Sequence, residues 1–245
     1  MNVHQIHFIP KNDFEIDDDV IDLIWDYLSY LCLNGQILNN YEVIQSEDKL
    51  FAYATLPTDD ALDEKYNNIY VTADLMNLRE LFKLSQSLVG ENTNEPDSCT
   101  GKDSDWFLLY STRERLRSPL ICGDCGDPVP LYKVPNLFCE SFFDVIDWQR
   151  AFNAVDRLWI NCLSDRFTYQ QMHNPNSPLS KIGREICKDL QEKTDRPVYY
   201  YLFNWEHTSN TCPLCGQDWG YKDEDGIVDF RCDTCMIAAD QCFKD

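Results

Sequence analysis

Four cysteines near the end of the chain carry the clearest chemistry. Cys212-Pro-Leu-Cys215-Gly216 and Cys232-Asp-Thr-Cys235 are two CxxC pairs separated by sixteen residues. A CxxC turn sets two sulfurs on one side of a tight knuckle, and Gly216 lets the backbone curl there without a Cβ clash. Zinc takes four tetrahedral ligands, and thiolates supply them well. Gly226-Ile-Val-Asp-Phe-Arg231 reads as a short strand leading into the second knuckle, so the segment predicts a zinc ribbon. Four thiolates leave no position for substrate water, which makes the expected Zn2+ structural rather than catalytic. Iron is the alternative metal, because sulfur also suits it.

A third pair, Cys122-Gly-Asp-Cys125-Gly126, is half a tetrahedron. It needs two more ligands, and Cys139, Cys162, Cys187 and His173 are candidates that no spacing ranks. A second metal, a redox dithiol or a remnant knuckle with free thiols all fit. Cys32, Cys99, Cys187 and Cys242 read more simply as buried or free thiols.

The elements that must position these groups follow from periodicity. Residues 3–9 are β-prone. Val20, Ile21, Ile24, Trp25, Leu28, Leu31 and Cys32 recur at helical spacing, with Asp17-Asp18-Asp19 at the start and Asn34-Gly35 as the stop. Two extended runs fill 41–56. A helical region spans about 59–86, in which Ile69-Tyr70-Val71 is either a strand or a break. Residues 88–104 read as a polar loop and Trp106–Tyr110 as a strand. The order is β-α-β-β-α-β, a ferredoxin-like arrangement. Beyond Arg117, helices are expected over 141–156 and Leu179–Glu192, and strands over Arg157–Cys162 and Pro197–Phe203. The fold class is therefore α+β in three parts: a ferredoxin-like domain over 1–117, a CxxC knuckle with a mixed α/β segment over 118–204, and the ribbon over 205–245.

The chain has 245 residues, 42 acids against 21 bases and a net charge of −21. Coating nucleic acid or an anionic membrane needs the opposite sign. No apolar run is long enough to span a bilayer, and the N-terminus has no basic or long apolar region of a signal peptide. Twelve cysteines in such a chain, half of them in CxxC pairs, favour metal ligation in a reducing cytoplasm over disulfides. No Walker A, GxGxxG, HExxH or GxSxG motif is present, so no enzyme is expected. His4 and His7 would face opposite sides of a strand. Ser177-Pro-Leu-Ser180 reads as a helix N-cap region. Acidic density at 13–26 and 59–64 suits a basic protein partner. The expectation is a non-enzymatic interaction protein of the cytoplasm, in its concrete form an immunity-like inhibitor of a basic bacterial toxin. The alternative is nucleic-acid binding through the ribbon or through Tyr199-Tyr200-Tyr201 as a stacking platform.

The ribbon, the 122–126 knuckle followed by Pro128-Val-Pro-Leu-Tyr132, the segment Asp156-Arg-Leu-Trp-Ile160 and the run Pro197-Val-Tyr-Tyr-Tyr-Leu202 together resemble an uncharacterised bacterial family. That family is described as zinc-ribbon-containing, with a suggested nucleic-acid-binding role. The resemblance implies such binding and brings no catalytic residues. The charge opposes it: residues 205–245 hold nine acids and three bases. The one dense basic stretch, Arg113-Glu-Arg-Leu-Arg117, reads as a solvated connector or as a contact for one or two phosphates.

Overall fold

The computed structural model describes residues 1–14, 16–46, 49–95, 97–134, 141–204, 210–221 and 226–240. It is a mixed α+β fold with two sheets. The chain divides into two compact units in place of three consecutive parts. One is Met1–Ser98 with Pro130–Phe143, the other Cys99–Val129 with Asp144–Asp245. Among the described residues, no helix is long and apolar enough to cross a membrane.

The first unit runs β1 (Asn2–Pro10), α1 (Asp18–Leu33), β2 (Glu42–Ser46), β3 (Lys49–Leu56), α2 (Ile69–Leu81) and β4 (Phe82–Glu91). Its sheet has the order β2-β3-β1-β4, with all neighbours antiparallel. Alternation places Ile6 and Phe8 of β1 in the core, where they meet Ile24, Leu28 and Leu31 of α1 and Val71, Leu75 and Leu78 of α2. Asp17 caps α1 by accepting from the Val20 N–H at 3.1 Å. The helix stops at Asn34, and Gly35 follows with φ +76°. A Cβ on Gly35 would stand 2.9 Å from the Leu131 Cβ, so the turn needs glycine for space as well as backbone freedom. His4 is buried, whereas His7 is half-buried and lies 3.3 Å from the Ser87 hydroxyl.

The second helix is shorter than the sequence suggests. Asn68 accepts from the N–H groups of Tyr70 and Val71 and caps α2, so Ile69-Tyr-Val is its first turn rather than a strand. Residues from Phe82 onward leave the helix and pair with β1 as β4. The element order is β-α-β-β-α-β, but its closing strand is Phe82–Glu91 rather than Trp106–Tyr110. Most of β4 is exposed, so pairing with β1, not an apolar pattern, decides its conformation.

Residues 130–143 belong to this unit through Tyr132, which joins its core, and Lys133. Asp60 accepts hydrogen bonds from Thr58, from Lys133 at 2.9 Å and from the Tyr66 hydroxyl at 2.8 Å. The Thr58 hydroxyl, with Lys133 and Tyr66 behind it, outweighs burial and holds this carboxyl well below the usual carboxylate range. The unfolded chain therefore binds a proton here before the folded one does. The stabilisation is complete at neutral pH and is lost as pH falls below about 4 toward the folded value. The Asp60 side chain is 37% exposed, so water screens the ion pair. Asp60→Asn is expected to cost about 1 kcal/mol at pH 7 and only a fraction of that at pH 2. Urea melts at the two pH values measure this.

The second unit runs β5 (Phe107–Leu109), β6 (Leu120–Cys122), α3 (Phe143–Ile160, entering at Asp144), α4 (Asp165–His173), α5 (Pro178–Thr194), β7 (Val198–Tyr201), β8 (Phe230–Cys232) and β9 (Ile237–Ala239). The sheet order is β6-β5-β7-β9-β8. β7 pairs in parallel with β5 and β9, and the outer strands β6 and β8 run antiparallel. Strands β8 and β9 are thus part of a sheet shared with β5–β7. All four residues of β7 are buried. Tyr200 packs beneath α5 and Trp148 of α3, while Tyr199 and Tyr201 pack with Trp106, Leu108, Ile121 and Val228 on the other face. The tyrosine run is core on both sides, which removes it as an open stacking platform.

One further expectation is corrected here. Arg157–Ile160 closes α3 rather than forming a strand. The 3–4 spacing of Val145, Ile146, Trp148, Gln149, Phe152 and Asp156 carries the helix through, and Leu158 and Ile160 lie exposed on it. Helix α4 was not anticipated. Ser177 caps α5 as its type and position suggest, accepting from the Ser180 N–H at 3.1 Å. The 113–117 stretch is a connector tied down by α3. Arg113 N–H donates to Asp156, Gln149 to the Arg117 carbonyl and Asn153 to the Arg115 carbonyl.

Candidate metal centre

The sulfurs of Cys212, Cys215, Cys232 and Cys235 all lie within 4.8 Å of one another. Cys215 Sγ and Cys232 Sγ, from different knuckles, are 3.7 Å apart. A tetrahedron of sulfurs about 2.3 Å from a central zinc has edges of about 3.8 Å, so the pair already has the required separation. The local backbone explains how. Cys212 N–H donates to the Gln217 carbonyl at 2.7 Å and Gly216 N–H to the Cys212 carbonyl at 2.8 Å, closing a tight turn with Gly216 at φ +72°. Thr211 and Asp218 pair across its base. The second knuckle joins β8 to β9, with Cys232 opposite Ile237, Arg231 opposite Ala238 and Met236 at φ +52°. Thr234 Oγ1 donates to Gln217 Oε1 at 3.2 Å and links the two turns.

The electrostatics favour a cation. The Gln217 backbone N–H is the main influence on Cys215 and brings its thiol down to about 7. Burial pushes Cys232 and Cys235 up. The Cys215 sulfur ionises readily, while Cys232 and Cys235 resist a further negative charge in so small a volume. A divalent cation relieves that repulsion and displaces the remaining protons. The donor set is sulfur alone, which fits zinc and excludes hard cations such as calcium or magnesium as ligand chemistry.

A second cluster joins Cys122, Cys125 and Cys99, whose sulfurs also lie within 4.8 Å of one another. Cys99 therefore does not stand as an isolated thiol. Among the described ligand candidates, none joins this pair. Cys162 is exposed after α3, Cys187 is buried within α5, and His173 stacks on Tyr169 with Nδ1 3.0 Å from the Phe203 carbonyl. Cys139, Cys242 and His207 lie outside the described residues. The signal that could have found Cys99 is Gly101 two residues on, at φ +65°, whose N–H reaches back to the Cys99 sulfur at 3.3 Å. Burial is the largest influence on both knuckle thiols. It pushes Cys125 up to about 12, while at Cys122 the hydrogen bond with Ser104 and those from the Cys125 and Asp124 N–H groups overcome it and lower the value.

A cleft of about 510 Å³ in the second unit is walled by Trp106, Tyr199, Tyr221 and Arg231, with Gly123 and Asp124 at one end. The Arg231 guanidinium lies 4.1 Å from the Tyr221 ring centroid and about 5 Å from those of Trp106 and Tyr199, and its Nε donates to Asp233 at 3.1 Å. This base of the 205–245 segment is engaged internally. Lys222 and Lys244 lie outside the described residues.

Residues 1–90 match a domain of unknown function, DUF8589, and residues 101–203 match another, DUF2310. The four-cysteine cluster and Cys99 fall outside both matches. An uncharacterized protein of Haemophilus influenzae is 28% identical over 246 residues, covering 94% of this chain and 92% of its own. A second uncharacterized protein of the same organism is 32% identical over 162 residues, 62% of this chain and 79% of its own. No solved structure matches the chain. The chain belongs to the bacterial family of these Haemophilus influenzae proteins.

Proposed function

We propose that this protein is a zinc-binding interaction protein without an active site of its own. Its Cys212, Cys215, Cys232 and Cys235 form a zinc ribbon that locks the β8–β9 end of the second sheet, and its acidic surface engages a basic protein. The observation that carries the reading is the four-sulfur cluster with its 3.7 Å inter-knuckle contact. Zinc bound there supplies cross-linking and no chemistry, because four thiolates exclude a substrate position. The antiparallel order β2-β3-β1-β4 supports reading the first unit as ferredoxin-like.

The charge of −21 supports a basic partner over nucleic acid. An inhibitor of a basic toxin, in the manner of an immunity protein, is the concrete form of that partner relation. Tagged chain captured from nuclease-treated extract of its host cytoplasm is expected to retain one dominant basic protein. Raising salt from 50 to 500 mM should release it, since steering between opposite charges weakens as screening increases. Recovery of nucleic acid, or of partners lost on nuclease treatment, would overturn the reading.

A further inference from the structure

We propose that Cys99, Cys122 and Cys125 hold a second zinc ion, separate from the four-cysteine site. The 122–126 turn repeats the backbone hydrogen bonds of the 212–216 knuckle. Cys122 N–H donates to the Asp127 carbonyl at 2.9 Å, as Cys212 does to Gln217 at 2.7 Å. Gly126 N–H donates back to Cys122 at 2.9 Å, as Gly216 does to Cys212 at 2.8 Å. The fourth residue after the first cysteine has φ +76° at Gly126, +72° at Gly216 and +52° at Met236. The bases of the turns close in one register: Ile121 with Pro128, Thr211 with Asp218, Arg231 with Ala238. Three turns of one geometry, two of which converge on four sulfurs, mark the third as a ligand-bearing turn. A thiol-disulfide CxxC draws its reactivity from a helix N-terminus. Residues 123–130 form turns and bridges and no helix.

A second observation is the placement of Cys99, 23 residues upstream. Its N–H donates to the Pro128 carbonyl at 2.9 Å, which docks it on the strand leaving the knuckle. Gly101 N–H donates to its sulfur at 3.3 Å, which stabilises the thiolate form of a ligand. A Cβ on Gly101 would stand 2.8 Å from Val129, so the return path needs glycine. Three sulfurs supply three corners of the tetrahedron, and a water or a further side chain supplies the fourth.

Zinc content of the full chain, purified without added reductant, tests this. The unaltered protein is expected to carry about two zinc ions, Cys99→Ser and Cys125→Ser about one each, and the exposed Cys162→Ser about two. Should the serine variants fail to fold, cobalt titration of the unaltered metal-free chain still decides. Two equivalents should each raise sulfur-to-cobalt charge-transfer absorption, one with a three-thiolate intensity. About one zinc in the unaltered protein and in both serine variants would overturn the proposal, as would a single cobalt equivalent or a Cys122–Cys125 disulfide in the isolated protein.

Discussion

Replacing Cys212 or Cys232 by serine is expected to remove one zinc ion per chain and to melt the β8–β9 end of the second sheet. Both cysteines are buried, and each supplies one of only four ligands. A serine hydroxyl does not ionise near neutral pH and is a poor ligand for a soft site. Structural zinc contributes on the order of 10 kcal/mol to units of this size, more than the whole stability of many domains. The strands it ties are short: β8 and β9 have three residues each, and β9 pairs with β7 through two residue pairs. Without metal those pairings are too few to hold. Melting curves and metal analysis of the two variants check this, and a strong chelator should reproduce the effect on the unaltered chain. A variant with full metal and an unchanged melting temperature would contradict it.

Gly183→Ala is expected to destabilise the second unit without touching a metal ligand. A Cβ at this point of α5 would stand 2.3 Å from Tyr200 Cε2 and 2.8 Å from Trp148 Nε1. Tyr200 is fully buried in the central strand, and its hydroxyl reaches the Ser180 Oγ at 3.3 Å. Neither ring can withdraw without opening the core, so the cost is that of overpacking, about 3 kcal/mol and a melting temperature lower by about 6–12 °C. Gly216→Ala supplies the contrast. No atom lies within 4 Å of its Cβ position, so only the positive φ is penalised. Met236 tolerates the same backbone region in the sister knuckle. The expected cost there is about 1 kcal/mol. Differential scanning calorimetry of the two alanine variants separates steric from conformational cost, and equal losses would contradict the packing described for α5 on β7.

What was legible in the sequence was local. The 3–4 spacing of Ile24, Leu28 and Leu31 and the capping aspartate located α1, and the CxxC spacing identified the four cysteines that the fold brings together. What was not legible depended on partners distant in sequence. β4 has a largely exposed face, and its strand character comes from β1, some eighty residues earlier in the chain. The end of α3 is apolar on a helix face left exposed, which imitates a strand. Cys99 carries no spacing signature, because its return to the knuckle is written in one backbone bond to Pro128 and in Gly101. The division into units was hidden because the chain leaves the first unit at Ser98 and comes back at Pro130, where Lys133 docks on Asp60, 73 residues earlier, and Tyr132 on Thr58, 74 residues earlier.

The central claim is that two knuckles clamp one zinc through sulfur alone. Zinc-edge X-ray absorption on the Cys99→Ser chain, which isolates that site, tests it most directly. The account predicts about one zinc per chain with a single shell of four sulfurs at about 2.3 Å. A substoichiometric metal, or a shell containing nitrogen or oxygen at about 2.0 Å, would contradict it.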